Sequence, residues 1–439
     1  MPDRDTRTPA FILTGSFPVI RRNPLYLTEL SRRGLKILVI TAASYAEQAR
    51  SSIADTSNPA SEITEIAFVT GDYSAQAAFL AGAVAQTAVW RRKYTIVGAY
   101  AVGDYLAEAT GILADALDVR SPGLRASRVC RSKYLQRWYA PELGPDSLII
   151  PAGERDSADL TGLAFPAVVK PASRASSSGV VTVTGADELR HQMSSYADHE
   201  VVLVEHKVLG PEFSVESLVQ DGQIIFASPT AKETTDSHAR TFVELAHSVP
   251  SAHTEVGERL LDANRQLLQR LGFENGITHS EWRIGPDGRP VLMEIAARTP
   301  GDGLLVLYLL ATGCPLEPEI LRIALGEPAS YPVPHRYARQ VYLEHEPGVL
   351  EDVTLNWPGM RPEWIISSGV WPEIKPGPVG DEPTLRAVLV LKRRGADLVE
   401  LADSDDRSVT FFIDAASPDE LDALESRVRA AITISTRRP

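Results

Sequence analysis

The chain has 439 residues, 44% of them hydrophobic, which is enough apolar material for several packed cores and about two to four domains. A formal net charge of −13 argues against a general grip on nucleic acid or an anionic membrane, while leaving room for a local basic pocket. Two cysteines, Cys130 and Cys314, give neither a disulfide framework nor a zinc spacing, so a reducing cytoplasm is the expected compartment. The polar start MPDRDTRTP has no apolar signal core, and the most apolar run, LLVLYLLATG from Leu304, is too short to span a bilayer.

In chain order, AFILTG, KILVITA, EIAFVTG and YTIVGAY read as strands, alternating with helical NPLYLTELSRRG and AQAAFLAGAVAQTAVWRRK. That rhythm predicts an α/β region with a parallel sheet covered by helices. Thr14-Gly15-Ser16 lacks the GxGxxG of a dinucleotide fingerprint and reads as loop closure. Helical DYLAEATGILADALD and SRVCRSKYLQRWYA follow. FPAVVKPASRASSSGVVTV then reads as a strand, a small-residue loop and a returning strand, and ADELRHQMSSYA as a helix. VVLVEHKVLGPEFSVESLVQDGQIIFAS gives two or three strands turning at Gly210-Pro211 and Asp221-Gly222. ERLLDANRQLLQRLG carries Leu260, Leu261, Leu267, Leu268 and Leu271 on one helical stripe, with Gly272 as its stop. After Gly313, prolines between Pro315 and Pro334 suggest a hinge into a last, mostly β region. It closes with the helix SPDELDALESRVRAAI, with Ser417 as N-cap, Pro418 as first helical residue and Glu420 as capping partner.

The densest chemistry lies in ITHSEWRIGPDGRPVLMEIAAR. Two alternating segments flank GPDGRP, and a turn centred on Asp287-Gly288 sets Glu281 opposite Glu294 and His279 opposite Ala296. Two carboxylates facing each other across strands are unfavourable by up to roughly 1 kcal/mol. A hard divalent cation between them turns that cost into a site. A solvated face bearing two unrelated glutamates is the alternative. Arg298, four residues past Glu294, falls on the same face if the strand continues, where a guanidinium stabilises a transferring phosphoryl group. Gly301 and Gly303 permit close backbone approach, though loop entry explains them equally well. Lys170 ends a strand just before the loop Ala172 to Gly179, so its ammonium and the loop N–H groups can wrap phosphates; a plain flexible loop fits the same residues. Lys133, on the earlier helix, offers a second ammonium. EHKVLGPE, Glu205 to Glu212, ends a strand with groups that could meet an adenine edge and ribose hydroxyls; taken alone it reads as an ordinary edge-strand terminus.

The order of these pieces closely resembles the ATP-grasp superfamily over roughly residues 95 to 325. FVELAHSVPS, GITHSE and MEIAARTPGDG narrow the resemblance to carboxylate–amine ligases of the L-amino-acid ligase kind, which join two amino acids into a dipeptide. The resemblance implies an α/β (α+β ATP-grasp) fold in four parts. These are a parallel-sheet pre-ATP-grasp domain (1–125), a small lobe with the phosphate loop (126–203), a large lobe with the metal and substrate site (204–325), and a mostly β C-terminal α+β domain (326–439). Nucleotide would lie between the lobes. Lys133, Lys170 and the loop with Ser176, Ser177, Ser178 and Gly179 would bind the ATP phosphates. Glu205 and the backbone around His206 and Val208 would meet adenine, and Glu212 the ribose. Glu281 and Glu294 would bind Mg2+, with Mn2+ as a substitute, and Arg298 would be the catalytic residue facing the phosphoryl group. Glu244 and His247, in an E-x-x-H-x-x-P pattern, and Gly303 would lie at the amino-acid substrate. Ala296 departs from the family, many of whose members carry an asparagine there as a further metal ligand, which leaves one or two Mg2+ open; His279 opposite it could compensate, but a structural histidine is the preferred reading.

The implied reaction phosphorylates a substrate carboxylate to an acyl phosphate, which an amine then attacks, with no protein nucleophile. A tailoring ligase for a peptide-like product with a non-standard acid or amine, and a non-catalytic nucleotide-binding homologue, are the alternatives. Small-molecule acid and amine substrates are the expected partners, with no nucleic acid and no membrane; a homodimer is compatible with the resemblance.

Overall fold

The computed structural model describes residues 7–71, 76–174, 177–366 and 371–437. The first four strands, Thr8–Thr14, Lys36–Ala42, Ile63–Val69 and Tyr94–Ala101, form one parallel sheet with Thr8–Thr14 and Lys36–Ala42 in its middle. Because side chains alternate across a strand, Phe11, Leu13, Ile37 and Val39 feed one core, while Ala10, Ile12, Leu38 and Ile40 feed the other. The helix expected over NPLYLTELSRRG is preceded by a separate short helix, Phe17–Arg22, before Leu25–Arg32, with Asn23 and Pro24 between them. Helix SRVCRSKYLQRWYA likewise divides, into Leu124–Val129 and Lys133–Tyr139, where Ser132 caps the second half through the Leu135 N–H.

A four-stranded antiparallel sheet in the order Ser147–Ile150, Val202–His206, Ala167–Pro171, Val181–Val183 carries the helix Ala186–Ser194 on one face, through Leu189 and Met193. Beside it lies a nine-stranded sheet. Its first half runs Pro290–Ala296, Gly276–Ile284, Glu212–Gln220, Gln223–Thr234, Glu244–Val249, and it continues through Tyr337–Leu343, Val409–Ala415, Thr384–Val390 and Glu363–Trp364. Strands on both sides of residue 325 therefore share one sheet. The helix Thr254–Leu271 packs its leucine stripe on the first half, and Gly272, at φ 61°, ends it in the left-handed conformation. The bent pair Leu304–Thr312 and Glu317–Leu325 is buried against the N-terminal sheet, joining the two regions in one core. Among the described residues no single helix is long and apolar enough to cross a membrane.

The capping box at Ser417, Pro418 and Glu420 forms as expected, but the helix Pro418–Ala431 does not close the chain. It leads into a strand, Ile432–Arg437, paired with Gly348–Leu355 in a three-stranded sheet.

Candidate functional site

Alternation along three strands builds the floor of the site. In Gly276–Ile284, Trp282 and Ile284 turn into a core shared with Phe213 and Val215, while His279, Glu281 and Arg283 share the opposite face, where Ile277 at the strand's start joins Leu218 in the neighbouring core. The same alternation puts Glu212, Ser214 and Glu216 next to them, then Lys232 and Thr230. One face of the large sheet is thus a polar surface, and it floors a cleft of about 430 Å3.

Glu281 pairs with Glu294, and His279 with Ala296, in the expected register. The turn differs: the loop runs Gly285–Arg289 rather than two residues, and a bulge at Met293 restores the pairing that a tight turn would give. Lys133 Nζ lies 3.1 Å from Glu294. Glu281 Oε1 accepts from Lys232 Nζ at 2.8 Å and lies 3.2 Å from His279 Nε2. His279 Nδ1 is 2.7 Å from Glu216, whose carboxylate also accepts from Ser214, Thr230 and Tyr308. Burial works against a charged imidazole, but Glu216 and Glu281 outweigh it and raise His279 to about 9. Its ring is therefore spent on orienting Glu281, as a structural histidine, and not on the space beside Ala296.

Lys232 is the central cation of this floor. Its ammonium meets Glu212 at 2.9 Å, Glu281 at 2.8 Å and Glu244 at 3.6 Å, and despite full burial the three carboxylates hold its pKa well above the usual lysine range. Glu212 is also held by Arg283 at 2.8 Å, and Arg283 reaches Asp236 at 2.6 Å.

A second buried cluster joins the helix Lys133–Tyr139 to the four-stranded sheet. Glu205, 3% exposed, accepts from Arg137 Nε at 2.6 Å and pairs with Lys170 Nζ at 2.7 Å. Burial opposes its charge, yet the two cations bring it down to about 2. Lys170 is also lowered, because burial and the repulsion of Arg137 and Lys133 exceed the pull of Glu205. The carboxylate faces two cations; the ammonium has one anion. The Glu205 side chain is thereby committed to Lys170 and Arg137, and its backbone to the sheet, where it pairs with Ser147 and Val168. His206 donates its N–H to Asp146, and the Val208 carbonyl lies 3.3 Å from Arg283.

Arg298 lies beyond the end of its strand at Ala296 and still lines the cleft. Asp104, from the N-terminal region, grips it at 2.9 Å, and the Thr299 carbonyl accepts its other arm at 2.8 Å. Asp104 is buried, which opposes its charge, but Arg298 holds it at about 2. The Thr299 hydroxyl in turn meets Tyr26 and Tyr100. Next along, Asp302 adopts a left-handed φ of 51° and accepts from His247 at 2.8 Å and Arg407 at 2.7 Å. Glu244 takes the Ser404 hydroxyl at 2.9 Å.

Over this floor, the loop from Ala172 is pinned at both ends. Arg174 is bidentate to Glu200, Ser177 donates to the Phe242 carbonyl at 2.9 Å, and Tyr196 donates to the Gly179 carbonyl at 2.6 Å. Ser177 and Ser178 line the cleft, Gly179 (φ 74°) turns the chain out of it, and Ser176 lies outside the described residues.

Lys133, Lys170, Glu205, His206, Val208, Glu212, Glu244, His247, Glu281, Glu294 and Arg298 thus converge on one cleft. Gly303 lies outside its lining. It packs where a Cβ would come within 2.3 Å of Phe412, and its N–H donates to Gln340 at 2.8 Å, so its small size serves packing. The sequence left unnoticed Lys232, Arg283 and Arg137, and the partners Asp104, Asp302 and Arg407. Alternation could have flagged Lys232 and Arg283, two residues past Thr230 and Glu281. Asp104 and Arg407 come from distant segments and leave no local signal.

Residues 163–305 match the ATP-grasp domain family. Alanine–anticapsin ligase of Bacillus subtilis (strain 168) is 24% identical over 222 residues, covering 43% of this chain and 45% of that protein. D-alanine–D-alanine ligase of Corynebacterium glutamicum (strain R) is 27% identical over 209 residues, covering 44% of this chain and 57% of that protein. The chain spans about half the length of these curated relatives. The crystal structure of an L-amino acid ligase from Bacillus licheniformis covers 99% of this chain and 100% of its own, with a TM-score of 0.73 at 19% identity. At that identity the likeness shows the fold: a parallel-sheet N-terminal region followed by ATP-grasp lobes.

Proposed function

We propose that this protein, built around an ATP-grasp domain at residues 163–305, is an ADP-forming carboxylate–amine ligase that joins two amino acids into a dipeptide. The observation that supports this most is the convergence, in one cleft, of paired carboxylates, three buried lysines and a clamped arginine. Among the described residues no three His, Cys, Asp or Glu side chains gather into a self-sufficient metal site. The Glu281–Glu294 pair instead offers carboxylate oxygen alone. That suits a hard cation such as Mg2+, or Mn2+ in its place, which Glu281 and Glu294 would hold. Bound there, the cation would supply charge neutralisation at the phosphates.

The remaining work belongs to the chain. Lys133 and Lys170 sit at the mouth of the phosphate loop and offset the charge of ATP, while Glu205 and Arg137 fix Lys170 in place. Carboxylates resist amines at neutral pH because the leaving group is poor; passing the γ-phosphoryl of ATP to the carboxylate oxygen makes phosphate the leaving group. Arg298, already oriented by Asp104, stabilises charge developing on the phosphoryl oxygens without reorganising. The amine then attacks the acyl carbon, phosphate departs with the C–O electron pair, and the ammonium proton is lost as the amide forms. The loop Ala172–Gly179 serves as the lid that keeps water from the acyl phosphate. Glu244, His247 and Asp302 would bind the amino-acid substrates. The test is ADP release from ATP and Mg2+ with pooled amino acids, coupled to mass spectrometry of the product. Amino-acid-dependent ADP with a dipeptide mass supports the proposal; ADP release that no carboxylate and amine accelerate overturns it.

A further inference from the structure

Three arginines, Arg22, Arg298 and Arg407, line the cleft together with Asp302. Arg407 is bonded to Asp302, and Arg298 to Asp104. The third, Arg22, ends the helix Phe17–Arg22 and lines the same cleft. Among the described residues no carboxylate is in ion-pair contact with it. Its neighbour is the indole of Trp371, 5.4 Å from the guanidinium carbon to the ring centre, and Trp371 is itself held edge-on by Phe412. Asp302 cannot serve Arg22 as a full partner: Oδ1 is taken by Arg407, and Oδ2 by His247 and Arg407. Burial, with Arg407 and Arg298 adding repulsion, disfavours the charge on Arg22 more than Asp302 favours it. A cation kept partly out of water beside two others is a cost that an anionic ligand would offset.

We propose that Arg22 anchors the unreacted carboxylate of the amine-bearing substrate, so that the acceptor is an amino acid with a free carboxylate and not a simple amine. The inference rests on the ligase proposal and deepens it. In that reaction the donor's carboxylate is consumed at Arg298, whereas the acceptor's own carboxylate survives into the product and stays charged throughout. In an α-amino acid the carboxylate carbon is two bonds from the attacking nitrogen, so its anchor must stand close to the reacting centre. Arg22 lines the same cleft as Arg298 and Arg407, so an acceptor carboxylate held there shares that space with the reacting group. Trp371 supplies a flat support that restricts the guanidinium before substrate arrives.

The test uses the purified full chain with ATP, Mg2+ and the donor and acceptor identified from the product mass. The acceptor is compared with its carboxamide, which keeps the amine and loses the charge. Wild type should prefer the acid over the amide by about 30-fold or more in kcat/KM, the discrimination expected when a desolvated arginine is left unpaired. Arg22→Ala should lose that factor on the acid and keep the amide rate, so the preference falls to near unity; Arg22→Lys should recover part of it. KM for ATP should not move, and the retained amide rate shows that Arg22→Ala is folded. The proposal is overturned if wild type uses amide and acid equally, if Arg22→Ala keeps the preference, or if the loss falls on the donor. Failure of the ligase proposal looks different: neither acid nor amide stimulates ADP formation, and both proposals then fall together.

Discussion

Replacing Glu205 with glutamine removes the anion that holds the buried cations Arg137 and Lys170, the latter just before the loop proposed to cover phosphates. In the wild type this carboxyl is lowered from 4.5 to about 2, a shift worth about 3 kcal/mol at about 1.4 kcal/mol per pKa unit. Because the folded-state pKa is the lower one, that stabilisation is complete above pH 4.5 and is lost as pH falls through about 2. At neutral pH Glu205→Gln should therefore cost at least this amount. The loss should lie within the range of about 3–5 kcal/mol typical of a buried pair broken from one side, since Arg137 and Lys170 remain. A second effect follows at Lys170, where burial already lowers the pKa and Glu205 is the group that raises it. Without Glu205 the ammonium loses its proton more readily, so over the neutral-to-alkaline interval KM for ATP should climb with pH more steeply than in wild type. Urea unfolding at neutral pH and ATP saturation curves across that interval measure both effects. A variant within about 0.5 kcal/mol of wild type, with an unchanged pH profile for ATP, would refute the assignment of this triad.

Four further substitutions probe the rest of the site. Lys232→Met leaves Glu212, Glu244 and Glu281 without their shared cation, so the cation-free protein should lose about 3–5 kcal/mol; added Mg2+ should then raise its melting temperature more than that of wild type. Asp104→Asn releases Arg298 and should lower kcat by about 100-fold, with KM for ATP unchanged in initial-rate kinetics. Glu294→Gln should abolish turnover in the ADP-release assay, and a near-normal rate would remove it from the site. Gly179→Val forces a side chain into a φ of 74°, with its Cβ 3.0 Å from Arg174, and should raise KM for ATP about tenfold by distorting the lid.

What was legible in the sequence was local. The capping box at Ser417 and Glu420 needs only its own turn of helix, and the Glu281–Glu294 pairing needs only the hairpin that joins the two strands. Even there the agreement hides two departures, since the loop is longer than Asp287-Gly288 alone implies and the bulge at Met293 compensates. Lys170 stood out because a lysine precedes a run of small residues. Lys232, in an ordinary alternating strand, becomes important only when three strands bring Glu212, Glu244 and Glu281 around it. Asp104 and Arg407 act on residues 194 and 105 positions away, a separation that no periodicity encodes. Gly303, which stands between Asp302 and Leu304 of the lining, is itself outside it, and the ring of Phe412 accounts for its lack of a side chain.

The central claim is that a substrate carboxylate becomes an acyl phosphate inside this cleft. Amino acids labelled with oxygen-18 in the carboxylate, turned over with ATP and Mg2+, test it directly by mass spectrometry of the released phosphate. One labelled oxygen per phosphate, with ADP as the nucleotide product, is the predicted result. Unlabelled phosphate, or AMP carrying the label, would contradict it.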